Sequence, residues 1–509
     1  MKALFLKQVA CAVGLGTAGL LATSCKEDIL QIQPVANNTV DGFYQNEIQV
    51  NQGVIAIYNG TLSLPENSYW FLAEFRSDNV AADIATVQRD YSDVSNFNTT
   101  SQTQQLQATW TDLYEIVYRA NVLQERIQPF SFARVPQFKG EARFLRALAY
   151  FDLVRFFGAV PIVDKTLTIE QSKQVPRAPV ADVYKFIVDD LLFAADNLPA
   201  TYTAADKGRA TKWAAKALLA KVYLTMYGYP LRQATALPLA KQQLMDVYAA
   251  ASPTTFSVAT NFADLFKSAN DNKYAVFEIQ FQSGGTGLGN PIPWQQGQVF
   301  PTNWSPFTGF AADFTLPPAL FGANWPKVDK RKAATLDSVV RNASGTIVAG
   351  RPEFTKFLEK GVAGVQNRTD YPNNFPIIRF EDVVLMYAEV LTEETGGTPP
   401  PLAISLVNQI RTRSGLTAFT ATSPETASQA AFRAAILKER RYEFVAEGQR
   451  WHDLVRTGNA ISVMTAFKRS TTAAGASFRQ LDDHDLIFPI PLLELRINPG
   501  FWQQNPGYN

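Results

Sequence analysis

The sequence predicts a mainly α-helical fold, and three observations carry that prediction. Apolar residues recur at helical spacing through most of the chain. Long Ala- and Leu-rich runs close at glycine or proline. The helical patterns follow one another with short links, except between about Ala250 and Phe375, where the character changes.

Val50, Val54, Ile57 and Tyr58 mark the first helix by their spacing. Trp110, Leu113, Val117 and Asn121 mark a second that runs towards Ile127. The third, Phe138 to Phe157, is apolar on most sides, so it should be buried among other helices, and Gly158 and Pro161 stop it. A fourth runs from about Val180 to Leu198 and closes at Pro199. Thr211 is the expected N-cap of Lys212 to Tyr227, because its hydroxyl can accept from a free first-turn amide. Leu237 to Ala249, Phe380 to Leu391, Leu402 to Arg413 and Glu425 to Glu447 complete the helices. Consecutive helix pairs with short links predict a solenoid of helical hairpins, like tetratricopeptide repeats, although the strict 34-residue signature is absent. Tyr274 to Phe281 (YAVFEIQF) reads as a strand, and Gly, Pro, Asn and Trp dominate from Ser283 to Trp325. This is an irregular, loop-rich second subdomain with few short strands, and its many aromatics argue against disorder.

The first residues bear on location. Lys2 and Lys7 precede an apolar run, Val9 to Leu21, that is shorter than the roughly 20 residues a bilayer requires. Ala22-Thr23-Ser24 follow, then Cys25. A basic start, an apolar run and small residues make a secretory signal, 1–24. The cysteine directly after it resembles a bacterial lipobox, whose thiol is acylated; an ordinary cysteine behind a cleavable signal is the alternative. Lys26-Glu27-Asp28 resembles the Lys-acid-acid signal of Bacteroidetes surface lipoproteins. Residues 25–44 then form a lipid-anchored tether, 45–250 an N-terminal helical region, and 251–509 a C-terminal region with the loop-rich insert and closing helices. Cys11 leaves with the signal, so no disulfide is available.

Without the signal the chain has about 485 residues, beyond the ~250–300 at which single cores stop growing. Loss of Lys2 and Lys7 takes the formal charge from +1 to −1. No dense basic face is present, which excludes nucleic acid as a partner. Eight Trp, eighteen Tyr and thirty-five Phe exceed what a ligand surface needs, so most belong to the core.

Candidate chemistry narrows quickly. Gly284 to Gly289 follows a strand and superficially matches a dinucleotide loop, but Asn290-Pro291-Ile292-Pro293 forbids the helix start that would bind a pyrophosphate. The segment reads as a surface loop. His452-Asp453 lacks a nucleophile elbow, and a structural hydrogen bond is the better reading. No Cys/His cluster has zinc spacing and no loop matches an EF-hand, so no cofactor or metal is expected. Adjacent acids at Asp189-Asp190, Glu393-Glu394 and Asp482-Asp483 point in different directions and read as solvated surface. What remains is aromatic and amide residues in loops. Sugar rings stack C–H patches on flat aromatics, while their hydroxyls need amide, carboxylate or Arg partners. Tyr69-Trp70-Phe71 with Arg76, Asp78 and Asn79 forms one such cluster; Trp294, Asn303, Trp304 and Phe307 form another. The alternative is that these loops fold over the solenoid and bury their rings.

Several motifs resemble the SusD/RagB family of Bacteroidetes nutrient-binding outer-membrane lipoproteins. They are Trp110-x3-Tyr114-x-Ile116-x3-Ala120-Asn121, Gly140-Glu141-Ala142-Arg143-Phe144-Leu145-Arg146-Ala147 with Tyr150-Phe151-Asp152-Leu153, and Gly208-Arg209-Ala210-Thr211. Arg379-x2-Asp382, Ile410-Arg411-x-Arg413, the run from Glu439-Arg440-Arg441 to Arg456, and Gln504-Asn505-Pro506-Gly507-Tyr508 continue the resemblance. Arg143, Arg440 and Arg441 sit on otherwise apolar helices and are expected to pair with acids such as Glu443 or Glu447, joining the helical array to the C-terminal part. The resemblance implies a lipid-anchored, surface-exposed protein of the outer membrane that binds glycan, with no enzyme activity. It also implies a SusC-like TonB-dependent transporter as partner, and membrane contact through the lipid anchor alone. A peptide-binding RagB-like lipoprotein of the same fold and a surface glycosidase are the alternative functions.

Overall fold

The computed structural model describes residues 40–82, 89–297, 314–317, 324–341, 346–359, 362, 364–471 and 478–508. Residues 1–50 and 51–509 are separate units. In the first, the described part holds a one-turn helix, Val40–Phe43, and the start of helix α1, Glu47–Asn59.

The second unit is mainly helical, as the apolar periodicity predicts. A ten-residue π-helix, Pro65–Glu74, follows α1. Then come α2 (Gln104–Arg126), α3 (Val135–Phe157), α4 (Val180–Asn197), α5 (Lys212–Tyr227) and α6 (Ala236–Ala249). The chain passes through strand β1 (Ala275–Ile279), the hairpin β2 (Leu336–Arg341) and β3 (Ile347–Phe354), and strand β4 (Phe375–Arg379). It returns to helix with α7 (Phe380–Thr395), α8 (Pro401–Arg413), α9 (Gln429–Phe444), α10 (Arg450–Arg456) and α11 (Ala460–Thr471).

Each long helix packs on its neighbour in the chain, from α2 on α3 through α5 on α6. Helix α6 then packs on α7 across the whole insert, and α7 on α8 and α9. This is the expected array of helical hairpins. Helix α3 lies between α2 and α4, which is why it is buried on nearly every side. It ends at Gly158, whose φ of 71° suits a residue without a Cβ. Thr211 caps α5 by accepting from Ala214 N at 3.2 Å. The last long helix starts later than its apolar pattern suggests: Pro424–Thr426 forms a separate 3-10 turn, and Ser428 is the cap.

The middle of the chain is short strands and loops. Strands β1 and β4 pair antiparallel, with Ala275 opposite Arg379 and Ile279 opposite Phe375, and both are buried throughout. Strand β1 rests on α5, so the irregular part is joined to the array by its one fully buried strand pair among the described residues.

Charge, not only apolar packing, joins the ends of this unit. Arg379 at the end of β4 is 2% exposed and donates to Glu381, Glu443 and Glu447. Glu443 also takes Arg331 and Arg413. Burial alone would raise the Glu443 carboxyl, but Arg413, Arg379 and Arg331 outweigh it and hold the group well below the carboxylate range. Arg440 donates to Asp453 and Asp382, and Lys221 of α5 also reaches Asp382. The expected pairing of arginines with acids is present, but the partners differ. Arg440 uses Asp382 and Asp453, Arg441 uses Asp78, and Arg143 lies 3.9 Å from Asp190, while Glu443 and Glu447 serve Arg379, Arg331, Arg413 and Lys356. Arg440 and Glu443 are three apart on one helix, yet each is taken by partners from other segments: Asp382 and Asp453 for Arg440, and Arg331, Arg379 and Arg413 for Glu443.

Candidate functional site

The first aromatic cluster is interior. Trp70 is 2% exposed and meets Phe75 and Phe354 edge-on, at 5.2 and 6.0 Å between ring centres. Arg76 is buried; it donates to the Val94 and Asp485 carbonyls and lies 3.9 Å over the Phe97 ring. Asp78 takes Arg450 at 2.8 Å and Arg441 at 2.9 Å. Asn79 donates to Glu74 Oε1 and accepts from Arg441 Nε. The expectation that these four residues form a loop surface for ligand is therefore corrected. Tyr69 to Ala73 lies in the π-helix and packs under α10 rather than facing water. The unbroken apolar run Tyr69-Trp70-Phe71-Leu72-Ala73 was the signal that marks burial.

The second cluster is placed differently. Trp294 sits in the short helix Ile292–Gln296 and is half-buried, with the Arg368 guanidinium 4.3 Å over its ring. Its neighbour Gln295 donates to Glu66 at the start of the π-helix. Asn67 donates to Asp112 at 2.7 Å, and Gln105 donates to Asn67 at 2.8 Å. Burial raises the carboxyls of Glu66 and Asp112, partly offset by hydrogen bonds from Gln295 and Asn67 respectively. A half-buried indole thus adjoins a row of acids and amides contributed by three segments distant in sequence. The surroundings of a π-helix often hold functional sites, because its wider turn displaces side chains from regular helical positions. Asn303, Trp304 and Phe307 lie outside the described residues, as does Cys25. Glu66, Asn67, Asp112, Gln295 and Arg368 were not expected from the sequence, because nothing local marks them.

The other candidate chemistry is structural. Gly284 N and Gly285 N donate to Asp370 Oδ2 at 2.9 and 3.0 Å, as does Gln366 N at 2.9 Å. A carboxylate of the chain itself takes the amides that a phosphate would need. Asp453 is held by Arg440 and Arg456, and His452 packs against Phe156 instead of bonding to its neighbour. Burial, then Arg155 and Lys221, push the His452 imidazole well below its usual range. Among the described residues, Asp482, His484 and Asp485 come together with metal-ligand geometry, but Asp482 caps a turn and Asp485 pairs with Arg479. No described helix is long and apolar enough to cross a membrane.

The scaffold is a stack of helical hairpins with a buried ion-pair centre. Two family models match the chain: the SusD family over residues 331–508, and a family described as "Starch-binding associating with outer membrane" over residues 34–224. The chain belongs to the SusD/RagB family. It is 26% identical to SusD-like protein P25 of Formosa agariphila, over 95% of this chain and 97% of that one. A SusD homologue of Bacteroides thetaiotaomicron superposes with a TM-score of 0.81 at 22% identity, covering 92% of this chain and 98% of the other, a likeness of fold. A laminarin-binding SusD-like protein superposes with a TM-score of 0.74 at 27% identity, covering 91% of this chain and all of that one.

Proposed function

We propose that this chain is a surface-exposed, lipid-anchored protein of the outer membrane that captures oligosaccharide and delivers it to a SusC-like TonB-dependent transporter. The observation that carries the reading is the match, at 27% identity and over the full length of that chain, to a SusD-like protein that binds laminarin. The family description that includes outer-membrane association supports the location. Trp294, Asn303, Trp304 and Phe307 are the proposed ligand residues, and the Glu66–Gln295 and Asn67–Asp112 pairs are proposed as hydroxyl partners on the side of Trp294. Rings supply stacking, and amides and carboxylates supply hydroxyl partners. The role is binding, not catalysis. The buried acids Glu443, Asp453 and Asp382 are held by arginines and by Lys221 and serve the scaffold.

Calorimetry against laminarihexaose, cellohexaose, maltohexaose, xylohexaose and mannohexaose, with a mixed hexapeptide pool in parallel, tests the reading. One or more glycans should bind, and Trp294→Ala and Trp304→Ala should each weaken binding. Peptide binding with no glycan binding would replace oligosaccharide by peptide. Unchanged affinity in both variants would remove the proposed site.

A further inference from the structure

A second aromatic cleft also uses α2, which gives Asp112 to the rim and Thr111 to the cleft. It has a volume of about 270 Å³ and is built from α2, the segment 161–175 and the C-terminal stretch 494–502. Tyr114, Phe501 and Trp502 line it, over a floor made by the buried Trp110. The rings are held by their polar edges. Trp502 Nε1 donates to the Val175 carbonyl at 3.0 Å, and Tyr114 OH donates to the Pro161 carbonyl at 2.8 Å. The anchored edges, with the packing of Tyr114 and Trp502 on Trp110 at 5.0 and 6.2 Å between ring centres, fix the rings before any ligand arrives, which lowers the ordering cost of binding. Phe501 is 41% exposed at the mouth of the cleft.

Polar groups converge on the same cleft. Glu494 accepts from Gln107 Nε2 at 2.7 Å, and the Thr111 hydroxyl also accepts from Gln107, which leaves its O–H to donate. Asn498 gives its N–H to the Lys173 carbonyl, so its amide oxygen is the atom left to accept. Lys173 is paired with Glu170 at 2.8 Å. Burial raises the Glu494 carboxyl, which hydrogen bonds from Gln107 and Trp110 partly offset. Among the described residues that line the cleft, Lys173 is paired and Glu494 is the one carboxyl.

From this geometry we propose that the cleft is a second carbohydrate subsite that takes one end of a neutral oligosaccharide between Phe501 and Trp502, with Glu494, Asn498 and Thr111 bonding its hydroxyls. The proposal rests on the glycan-binding reading above. Ring faces suit the C–H side of a pyranose, and the three polar groups offer acceptors and a donor for its hydroxyls. Small-molecule sites run to ~300–1,000 Å³, so a cleft at or below the lower bound holds a chain end and not an extended glycan. Two sites on one molecule would retain a long glycan by effective concentration even when each is weak.

The test uses the full chain carrying Trp294→Ala and Trp304→Ala together, which removes the rim site. Saturation-transfer NMR and calorimetry with the five hexasaccharides then read the cleft. Residual, saturable binding is expected. Adding Phe501→Ala should weaken it by about tenfold or more, as the loss of one stacking face implies. Adding Asn498→Ala should weaken it with at most the small drop in melting temperature that loss of the bond to the Lys173 carbonyl implies. Wild-type binding of one glycan per chain that vanishes entirely in the double variant overturns the cleft and leaves the rim site standing. Residual binding that Phe501→Ala and Asn498→Ala do not change overturns it equally. Failure of the wild type to bind any of the five sinks both. Binding of the hexapeptide pool that Phe501→Ala abolishes, with no glycan signal in the double variant, would make the cleft a protein-docking surface and overturn the proposal.

Discussion

Arg441 on α9 reaches Asp78, 363 residues earlier in the chain: its guanidinium donates to the Asp78 carbonyl at 2.6 Å and lies 2.9 Å from the carboxylate. Arg450 takes the same carboxylate at 2.8 Å. Burial alone would raise Asp78, but the two arginines outweigh it and lower the group. The pair ties the segment after the π-helix to the C-terminal helices, and a buried carboxylate that satisfies two half-buried arginines is not available to a ligand.

Asp78→Ala should therefore act on stability. Removing the carboxylate takes charge-assisted hydrogen bonds from two half-buried arginines, and should cost about 1.5–3 kcal/mol. Urea denaturation should show the loss. Glycan affinity, measured below the new melting temperature, should match the wild type; a selective loss of affinity with unchanged stability would return Asp78 to the ligand site.

Trp70→Ala should lower the melting temperature, because emptying a buried tryptophan site costs ~3–5 kcal/mol in a close-packed core. Trp294→Ala removes a half-buried ring and should change melting much less. Thermal unfolding of the two variants side by side checks the contrast. Equal, small shifts would mean that Trp70 is not core.

Asp271 makes a pH prediction. Burial, then the neighbouring Glu278, push its carboxyl up from 3.8 to about 8. The unfolded chain ionises this group from about pH 4, while the folded chain resists ionisation until about pH 8. The folded state thus holds the extra proton across that window, and stability falls as pH rises through it. Asp271→Asn should stabilise the protein at pH 8 to 9 and have little effect near pH 4. An effect of the same size at both pH values would contradict the assignment.

Cys25→Ala should release soluble protein from the outer membrane when the lipobox reading is right. Fractionation of cells that lack the SusC-like transporter checks it, since the transporter could retain the variant by itself. Gentle purification of tagged wild-type protein should also bring down a barrel protein of roughly 100 kDa, a size in keeping with large outer-membrane transporter barrels. Membrane retention of the variant in those cells, or recovery of the wild type alone across several mild detergents, would count against anchor and partner respectively.

The helices are legible in the amino-acid sequence because their cause is local. The period of apolar residues in Lys212–Tyr227, the Thr211 cap and the Gly158 stop all act within a turn or two of the chain. The family motifs are legible as well, and so is the need of Arg440 and Arg441 for acidic partners, since an unpaired buried charge is too costly to keep. Tertiary structure alone decided which acids those are, because α7, α9, α10 and the segment after the π-helix meet only when the chain is folded. It also decided that Trp70 lies inside while Trp294 stays half-open. Both occur in aromatic-rich segments, and exposure depends on what packs over a ring, not on its neighbours in sequence. For the same reason Glu66, Asn67, Asp112 and Gln295 carry no signal of their own: a ligand surface assembled from three distant segments has no period, spacing or motif until packing brings those segments together.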